Sequence, residues 1–262
     1  MTPRVSILMP TYKQASFIRR ALASLSAQSL VDWELIIVND GSPDETHALV
    51  EPYLADPRIR YYRLDINRGL GAALNLALAQ AQAPLIAYLP SDDVYYSEHL
   101  QTLVTCLEEH PAAIAAYSGA RHHYNRSVPG QIPGYPLQLV QIMHHRVPQQ
   151  WVERDELTTD DLERMYWAKL RPYGDFLGTG RISCEWVNHP QQRHKLLQEP
   201  VGGINPYRVY YKVKQPLRVH TTVGNPIDEV EHYRRFRERP DTPLAPDGLK
   251  ILLVGELAYN PE

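Results

Sequence analysis

Cysteine is scarce in this sequence: Cys106 and Cys184 are the only two in 262 residues, and neither sits in a CxxC or Cys/His spacing. That excludes a disulfide scaffold and a structural zinc site, and it points to a reducing, cytoplasmic setting. Long hydrophobic runs are missing too. No stretch approaches the roughly 18 apolar residues of a membrane span, and no signal-peptide pattern opens the chain, so a soluble protein is expected. Nor does charge of one sign dominate. With a net charge of −3 and a pI near 6.4, there is no basic field for a nucleic-acid backbone or an anionic membrane surface, and no nucleic-acid partner is expected. Two glycine signatures are absent as well. Pro10-Thr11-Tyr12-Lys13 stands where a dinucleotide-binding fold needs glycines after its first strand, and no GxxxxGK[ST] occurs anywhere. Hydride transfer on a Rossmann fingerprint is disfavoured, and a P-loop NTPase is excluded.

What is present is an ordinary apolar share, 44%, against 22% charged residues, enough for one sizeable core or one plus an appendage. Up to about residue 118, short β-rich apolar runs alternate with helical patterns, the mark of repeated βαβ units and a mostly parallel sheet flanked by helices. Strands are predicted at Val5 to Met9, Leu35 to Val38, Ile59 to Arg63, Leu85 to Leu89 and Ala112 to Tyr117. Ser16 is read as the cap of a first helix buried through Ile18, Ala21, Leu22 and Leu25. Ser42-Pro43-Asp44-Glu45 reads as a capping box opening a second. Further helices are expected over Ala72 to Ala81 and from about Ser97 to Glu108.

Beyond residue 125 the texture changes, because 14 of the 22 prolines fall there. This half reads as elaboration on the first sheet. A helix is expected from Asp160 or Asp161 to Leu170, capped by Thr158 or Thr159, and another over Pro190 to Leu197. Residues 226 to 248 have the mixed charge and proline of a linker or arm. Ile251 to Gly255 is again a buried-strand signal. The expected division is therefore residues 1–225, with a nucleotide-binding half to 118 and an acceptor half after it, followed by 226–262 as an arm and a strand that could belong to a further domain.

Every unusual polar cluster of the first half directly follows a strand, and in open α/β sheets ligands bind outside the carboxyl ends of strands. Thr11 and Tyr12, Asp40, Asn67 and Gly69, and Asp92-Asp93 thus share one rim, which could surround a nucleotide. A carboxylate such as Asp40 can accept from a base N–H or a ribose hydroxyl, Gly69 permits close backbone approach, and Asp92 can hold a divalent cation against a diphosphate. Taken singly, Asp40-Gly41 reads better as a plain turn, and Asp92-Asp93 could be a solvated helix entry.

Four motifs in order lift the pattern above turn chemistry: Val5-Ser-Ile-Leu-Met-Pro-Thr-Tyr12, Trp33-Glu-Leu-Ile-Ile-Val-Asn-Asp-Gly-Ser42, Asn67-Arg-Gly-Leu-Gly-Ala-Ala-Leu-Asn75 and Tyr88-Leu-Pro-Ser-Asp-Asp93. Over about the first 118 residues the chain resembles the family 2 glycosyltransferases of the GT-A fold. The resemblance implies a nucleotide-diphosphate-sugar donor, with Thr11, Tyr12, Asp40 and the Asn67 loop around the nucleoside. It also implies Mg²⁺ or Mn²⁺ held by the Asp-x-Asp-type element, mapped to Asp92 with Asp93 beside it. The first position of that element is Pro90 here, which removes a carboxylate often directed at the ribose. Transfer to a hydroxyl with inversion needs a general base, and the family's position for it maps to Asp161 in Thr159-Asp160-Asp161-Leu162. His220 resembles the late histidine that some GT-A enzymes add as a metal ligand. In Cys184 to His189, Trp186 could stack on a sugar or pack in the core, while Glu185 or His189 could meet hydroxyls. Ile251 to Glu262 resembles the opening strand of a GT-B glycosyltransferase, implying a fragment of a two-domain enzyme. The expected acceptor is a saccharide, a lipid-linked group or another hydroxyl. Two alternatives remain at this level: a non-catalytic nucleotide-sugar-binding or scaffolding module, and a sugar nucleotidyltransferase, which would carry a Gly-rich basic loop after strand one.

Overall fold

The computed structural model describes residues 2–122, 126–153, 162–189, 218–220 and 226–228. Its first half is four parallel strands, β1 (Val5–Thr11), β2 (Trp33–Asn39), β3 (Ile59–Arg63) and β4 (Leu85–Tyr88), in the spatial order β3-β2-β1-β4. β1 and β2 are buried along their whole length, which is why they read as near-continuous apolar runs rather than alternating ones. Side chains still alternate between the two faces. Val5, Ile7 and Met9 join Leu35 and Ile37 in one core with helices α1 (Ala15–Ser26) and α4 (His99–Glu109). Leu8, Ile36 and Val38 face the other core, under α3 (Leu70–Gln80) and α5 (Leu162–Leu170).

The second half extends the same sheet, as the proline-rich texture had suggested. Beside β4 lies β8 (Ile142–His145), antiparallel to it, then β6 (Ala113–His122), β9 (Asp175–Trp186) and the two-residue β5 (Val94–Tyr95). β6 and β9 are parallel, while β5 and β7 (Arg126–Val128) pair antiparallel with β9 and β6. A separate antiparallel pair joins β10 (Arg218–His220) to β11 (Pro226–Asp228).

The end of the sheet where β1 to β3 begin is a stability device. Glu34 is buried, and its carboxylate receives the Ser6 hydroxyl, the Gln82 N–H at 2.6 Å and the Arg60 guanidinium, while the Ser6 oxygen receives the Ala83 N–H at 3.0 Å. Three strands and the turn after α3 are tied through one charge whose hydrogen-bonding capacity is used, as a buried charge requires. Arg58 covers the Trp33 ring at 3.8 Å on the same rim.

Two expected helix starts form differently, for one physical reason. Ser16 lies inside α1, whose first residue is Ala15, and Asp44 from the next loop accepts the Ala15 N–H at 3.1 Å. Ser42 does not cap a helix either. Its hydroxyl accepts the Lys13 N–H at 2.9 Å, and the second helix, α2 (Thr46–Val50), begins after Glu45, with Asp44 receiving the Thr46 hydroxyl at 2.6 Å. Capping groups are exchanged between neighbouring loops, a contact that a local pattern does not register. The third helix starts two residues earlier than expected, at Leu70, and the strand expected at Ala112 to Tyr117 runs on to His122. The expected start of α5 around residues 158–161, the helix near 190–197, the arm at 229–248 and the strand at 251–255 lie outside the described residues.

Two buried histidines give the fold a pH signature. His99 stacks on Tyr95 at 4.0 Å and meets the Ser183 hydroxyl at 2.8 Å; burial lowers its pKa to about 3. His144 donates from Nδ1 to its neighbour's carbonyl, accepts the Tyr88 hydroxyl at 2.7 Å, and is lowered to about 4 by burial. Both are neutral in the folded state at pH values where the unfolded chain, near 6.5, is already protonating. Below about pH 6.5 the unfolded state therefore binds more protons, and each histidine removes stability as pH falls towards its folded value. The variant His99→Asn, whose amide can replace the bond to Ser183, is expected to show a shallower loss, by up to about 1.4 kcal/mol per pH unit, in urea unfolding followed from pH 7 to pH 4.5. An unchanged slope would mean that His99 takes up its proton in the folded protein.

Candidate active site

Four loops meet at the carboxyl ends of β3, β2, β1 and β4, which are adjacent in the sheet. The tightest of them is built around Asp40. Its buried carboxylate accepts the Arg68 N–H at 2.6 Å, the Gly69 N–H at 2.8 Å and the Asn67 amide at 2.8 Å, and its own N–H donates to the carbonyl of Thr11 at 2.9 Å. One charge thus fixes the loop after β3 against the ends of β1 and β2. The glycines follow from that closeness. Gly41 has φ +70°, and a Cβ there would lie 2.6 Å from the Ile66 carbonyl carbon; Gly69 has φ +96° and leads into α3. Neither position suits a residue with a side chain.

Thr11 ends β1, buried, and its hydroxyl oxygen has no hydrogen-bond partner among the described residues. Tyr12 follows half-buried, with the Lys13 ammonium 5.5 Å from its ring, and Lys13 itself takes the left-handed conformation at φ +55°. Asn39 supports the floor: its side chain accepts the Ser42 N–H at 2.8 Å and donates to the Tyr61 hydroxyl at 2.8 Å. Thr11, Tyr12, Asp40, Asn67 and Gly69 are therefore brought to one rim, as expected.

After β4 the two carboxylates diverge. Asp92 is partly open, and its Oδ2 lies 2.9 Å from His189 Nε2. His189 is buried and stacks on Phe17 of α1 at 4.3 Å. Asp93 turns inward, 3% exposed, and accepts the Val187 N–H at 2.9 Å. Burial first, and then the charge of Asp92, push the Asp93 pKa well up, with Arg20 of α1 acting against them. Asp93, expected beside Asp92 as a ligand, fastens the segment after β9 to the carboxylate turn through that hydrogen bond. That segment delivers His189 to Asp92.

Asp92 and His189 are joined by a hydrogen bond, and carboxylate oxygen and imidazole nitrogen are both ligand types for Mn²⁺. No group of three or more metal-ligating side chains occurs among the described residues, so further ligands would come from a bound diphosphate.

Sequence reasoning read His189 only as a possible hydroxyl contact, since nothing local marks a pairing with a residue 97 positions away. Trp186 belongs to the core, edge-on to Tyr135 at 5.1 Å. Asp161 and the side chain of His220 lie outside the described residues.

Residues 6–144 match glycosyl transferase family 2. Protein CgeD of Bacillus subtilis is 28% identical over 212 residues, 70% of this chain and 49% of its own length. The succinoglycan biosynthesis protein ExoO of Rhizobium meliloti is 38% identical over 113 residues, 43% of this chain and 32% of its own. The chain thus spans about half, or less, of these relatives. Among solved structures, Staphylococcus aureus TarS residues 1–349 in complex with UDP-GlcNAc superimposes with a TM-score of 0.62 at 21% identity, over 72% of this chain and 60% of that one. The mannosyltransferase PcManGT of Pyrobaculum calidifontis, in complex with GDP-Man and Mn²⁺, gives 0.59 at 17% identity, over 74% and 59%. The shared fold is GT-A.

The two halves of the rim should respond differently to loss of charge. Asp40→Asn turns an N–H₂ towards N–H donors inside a buried loop and is expected to lower unfolding stability by about 2–4 kcal/mol in urea titrations. Asp92→Asn removes a partly open charge that opposes Asp93, and a change below about 1 kcal/mol is expected. Equal losses would show that water replaces the Asp40 hydrogen bonds.

Proposed function

The chain belongs to glycosyl transferase family 2, and on that premise we propose that it moves one sugar from a nucleotide-diphosphate donor to an acceptor hydroxyl, with inversion and with Mg²⁺ or Mn²⁺. The observation that carries this reading is the single rim, where the Asp40-clamped loop stands beside the Asp92–His189 pair. One part suits a nucleoside, the other a cation on a diphosphate. The ligands in the TarS and PcManGT structures, UDP-GlcNAc and GDP-Man with Mn²⁺, support the same donor class. The name of ExoO supports a place in polysaccharide or glycoconjugate synthesis. A saccharide, lipid-linked or other hydroxyl would be the acceptor, in the cytoplasm; no described helix is long and apolar enough to cross a membrane.

Thr11, Tyr12, Asp40, Asn67 and Gly69 would bind the nucleoside. Asp92 and His189 would hold the cation, with His220 as a further candidate ligand. When bound, the cation supplies Lewis-acid stabilisation of the negative charge that gathers on the departing diphosphate. Asp93 contributes by holding the chain that carries His189 in place. Asp161 would accept the acceptor's proton as its oxygen bonds to the anomeric carbon, from the face opposite the breaking bond to the diphosphate.

Thermal shifts with UDP-, GDP- and dTDP-sugars, each with Mn²⁺, Mg²⁺ or EDTA, test the donor and cation together, because a ligand of the folded state raises its apparent stability. One nucleotide class is expected to stabilise, more with a cation than with EDTA, and Asp92→Asn should lose the cation-dependent part. Asp161→Asn should keep the shift and lose transfer by about 10²–10⁴-fold. Transfer at the wild-type rate in Asp161→Asn would remove the base from this scheme, and no shift with any donor would favour the non-catalytic reading.

A further inference from the structure

Helix α3 begins at the donor loop, directly after the Gly69 whose N–H rests on Asp40. One and a half turns on, Asn75 reaches across to the segment that precedes α5. Its Oδ1 accepts the Trp151 N–H at 2.7 Å, and its Nδ2 donates to the Trp151 carbonyl at 3.0 Å and to Glu153 Oε1 at 3.0 Å. A single side chain thus takes both backbone polar groups of Trp151. The two elements also touch without any intervening side chain. A Cβ on Gly71 would lie 2.0 Å from the Val152 carbonyl oxygen, and Arg68 in the loop is 3.9 Å from Glu153.

The Trp151 ring continues the connection. It stacks on Tyr166 of α5, with centroids 4.0 Å apart and planes at 11°, and meets Trp167 edge-on at 5.4 Å. Lys169 of α5 donates to the Gln150 carbonyl at 2.7 Å. All three rings are buried, and Leu162, the first residue of α5, is buried as well. An unbroken line of contacts therefore runs from Asp40 through Gly69, α3, Asn75, Trp151 and Tyr166 to the helix that follows Asp161. The ring contacts in this line are buried, and close-packed rings transmit displacement rather than absorb it.

We propose that Asn75 is a positioning residue that couples the donor loop to α5, so that nucleotide binding at the Asp40–Gly69 loop tightens the helix next to Asp161. The proposal rests on the donor-site reading above and deepens it. Hydrogen–deuterium exchange of the full chain, with UDP, GDP or dTDP and Mn²⁺ as probes, tests it without requiring an acceptor. In the wild type one nucleotide is expected to slow exchange at residues 67–71 and, by about threefold or more, across 162–170. In Asn75→Ala the slowing at 67–71 and the nucleotide affinity should persist within about threefold, while the slowing at α5 is lost. Asn75→Asp keeps an oxygen for the Trp151 N–H but loses both N–H donors, and an intermediate effect is expected; it carries the test if Asn75→Ala does not fold. A merely structural asparagine would raise exchange in α5 equally with and without nucleotide. Slowing at α5 that survives both substitutions, or is absent from a wild type that binds nucleotide, would overturn the coupling alone. A wild type whose 67–71 exchange responds to none of UDP, GDP and dTDP would overturn the donor-site reading, and the coupling with it.

Discussion

The rim of this protein depends on one buried carboxylate. Asp40 stands at the end of a central parallel strand, where its charge would be strongly unfavourable without compensation. Three N–H groups of the loop at 67–69 supply that compensation. The dependence runs both ways: the charge needs the loop, and the loop needs the charge to hold Gly69 at the head of α3. Gly41 and Gly69 are consequences: at Gly41 the neighbouring backbone is too close for a side chain, and both take a positive φ that favours glycine. A nucleoside arriving at this rim would meet a surface whose shape is already set, so little ordering entropy is left for the ligand to offset.

The same loop-to-loop logic decides what the sequence reveals. Strands β1, β2 and β4 were legible because burial on both faces leaves an unmistakable apolar run, and because the polar residues that end each run fall on one side of a parallel sheet. Asp40, Asn67, Gly69 and Asp92 were legible for that reason, reinforced by the order of their motifs. The helix caps were not. Ser42 serves Lys13, 29 residues earlier, and Asp44 bonds Thr46 at the start of α2 but also Ala15 at the start of α1. Residue type announces a capping role; only the folded chain says which N–H receives it. His189 and Asn75 were hidden by the same limit, because each works on a partner 76 or 97 positions away.

Asp92 and Asp93 show how neighbouring residues of one kind are given separate tasks. A turn closed by the bond from the Asp93 N–H to the Pro90 carbonyl directs one carboxylate outward and the other into the core. Inside, Asp93 is driven towards its neutral form by burial and by Asp92, and it earns its place through the Val187 N–H. Outside, Asp92 keeps an open oxygen beside His189. The sheet makes this possible by bringing β9 alongside β5, so that the chain leaving β9 passes directly over the turn.

Pro90 fits this arrangement electrostatically. Where the family resemblance leads one to expect a first carboxylate, the chain has a residue with neither charge nor N–H, placed after the last ladder residue of β4, where no N–H is required. With Asp93 turned inward, Asp92 remains the outward carboxylate of this turn. The turn therefore presents less negative charge than three ionised carboxylates would, and repulsion between nearby charges in a partly desolvated cleft is large. A single outward carboxylate beside a histidine remains at this turn, and the packing of Phe17, Val187 and His189 holds that arrangement in place.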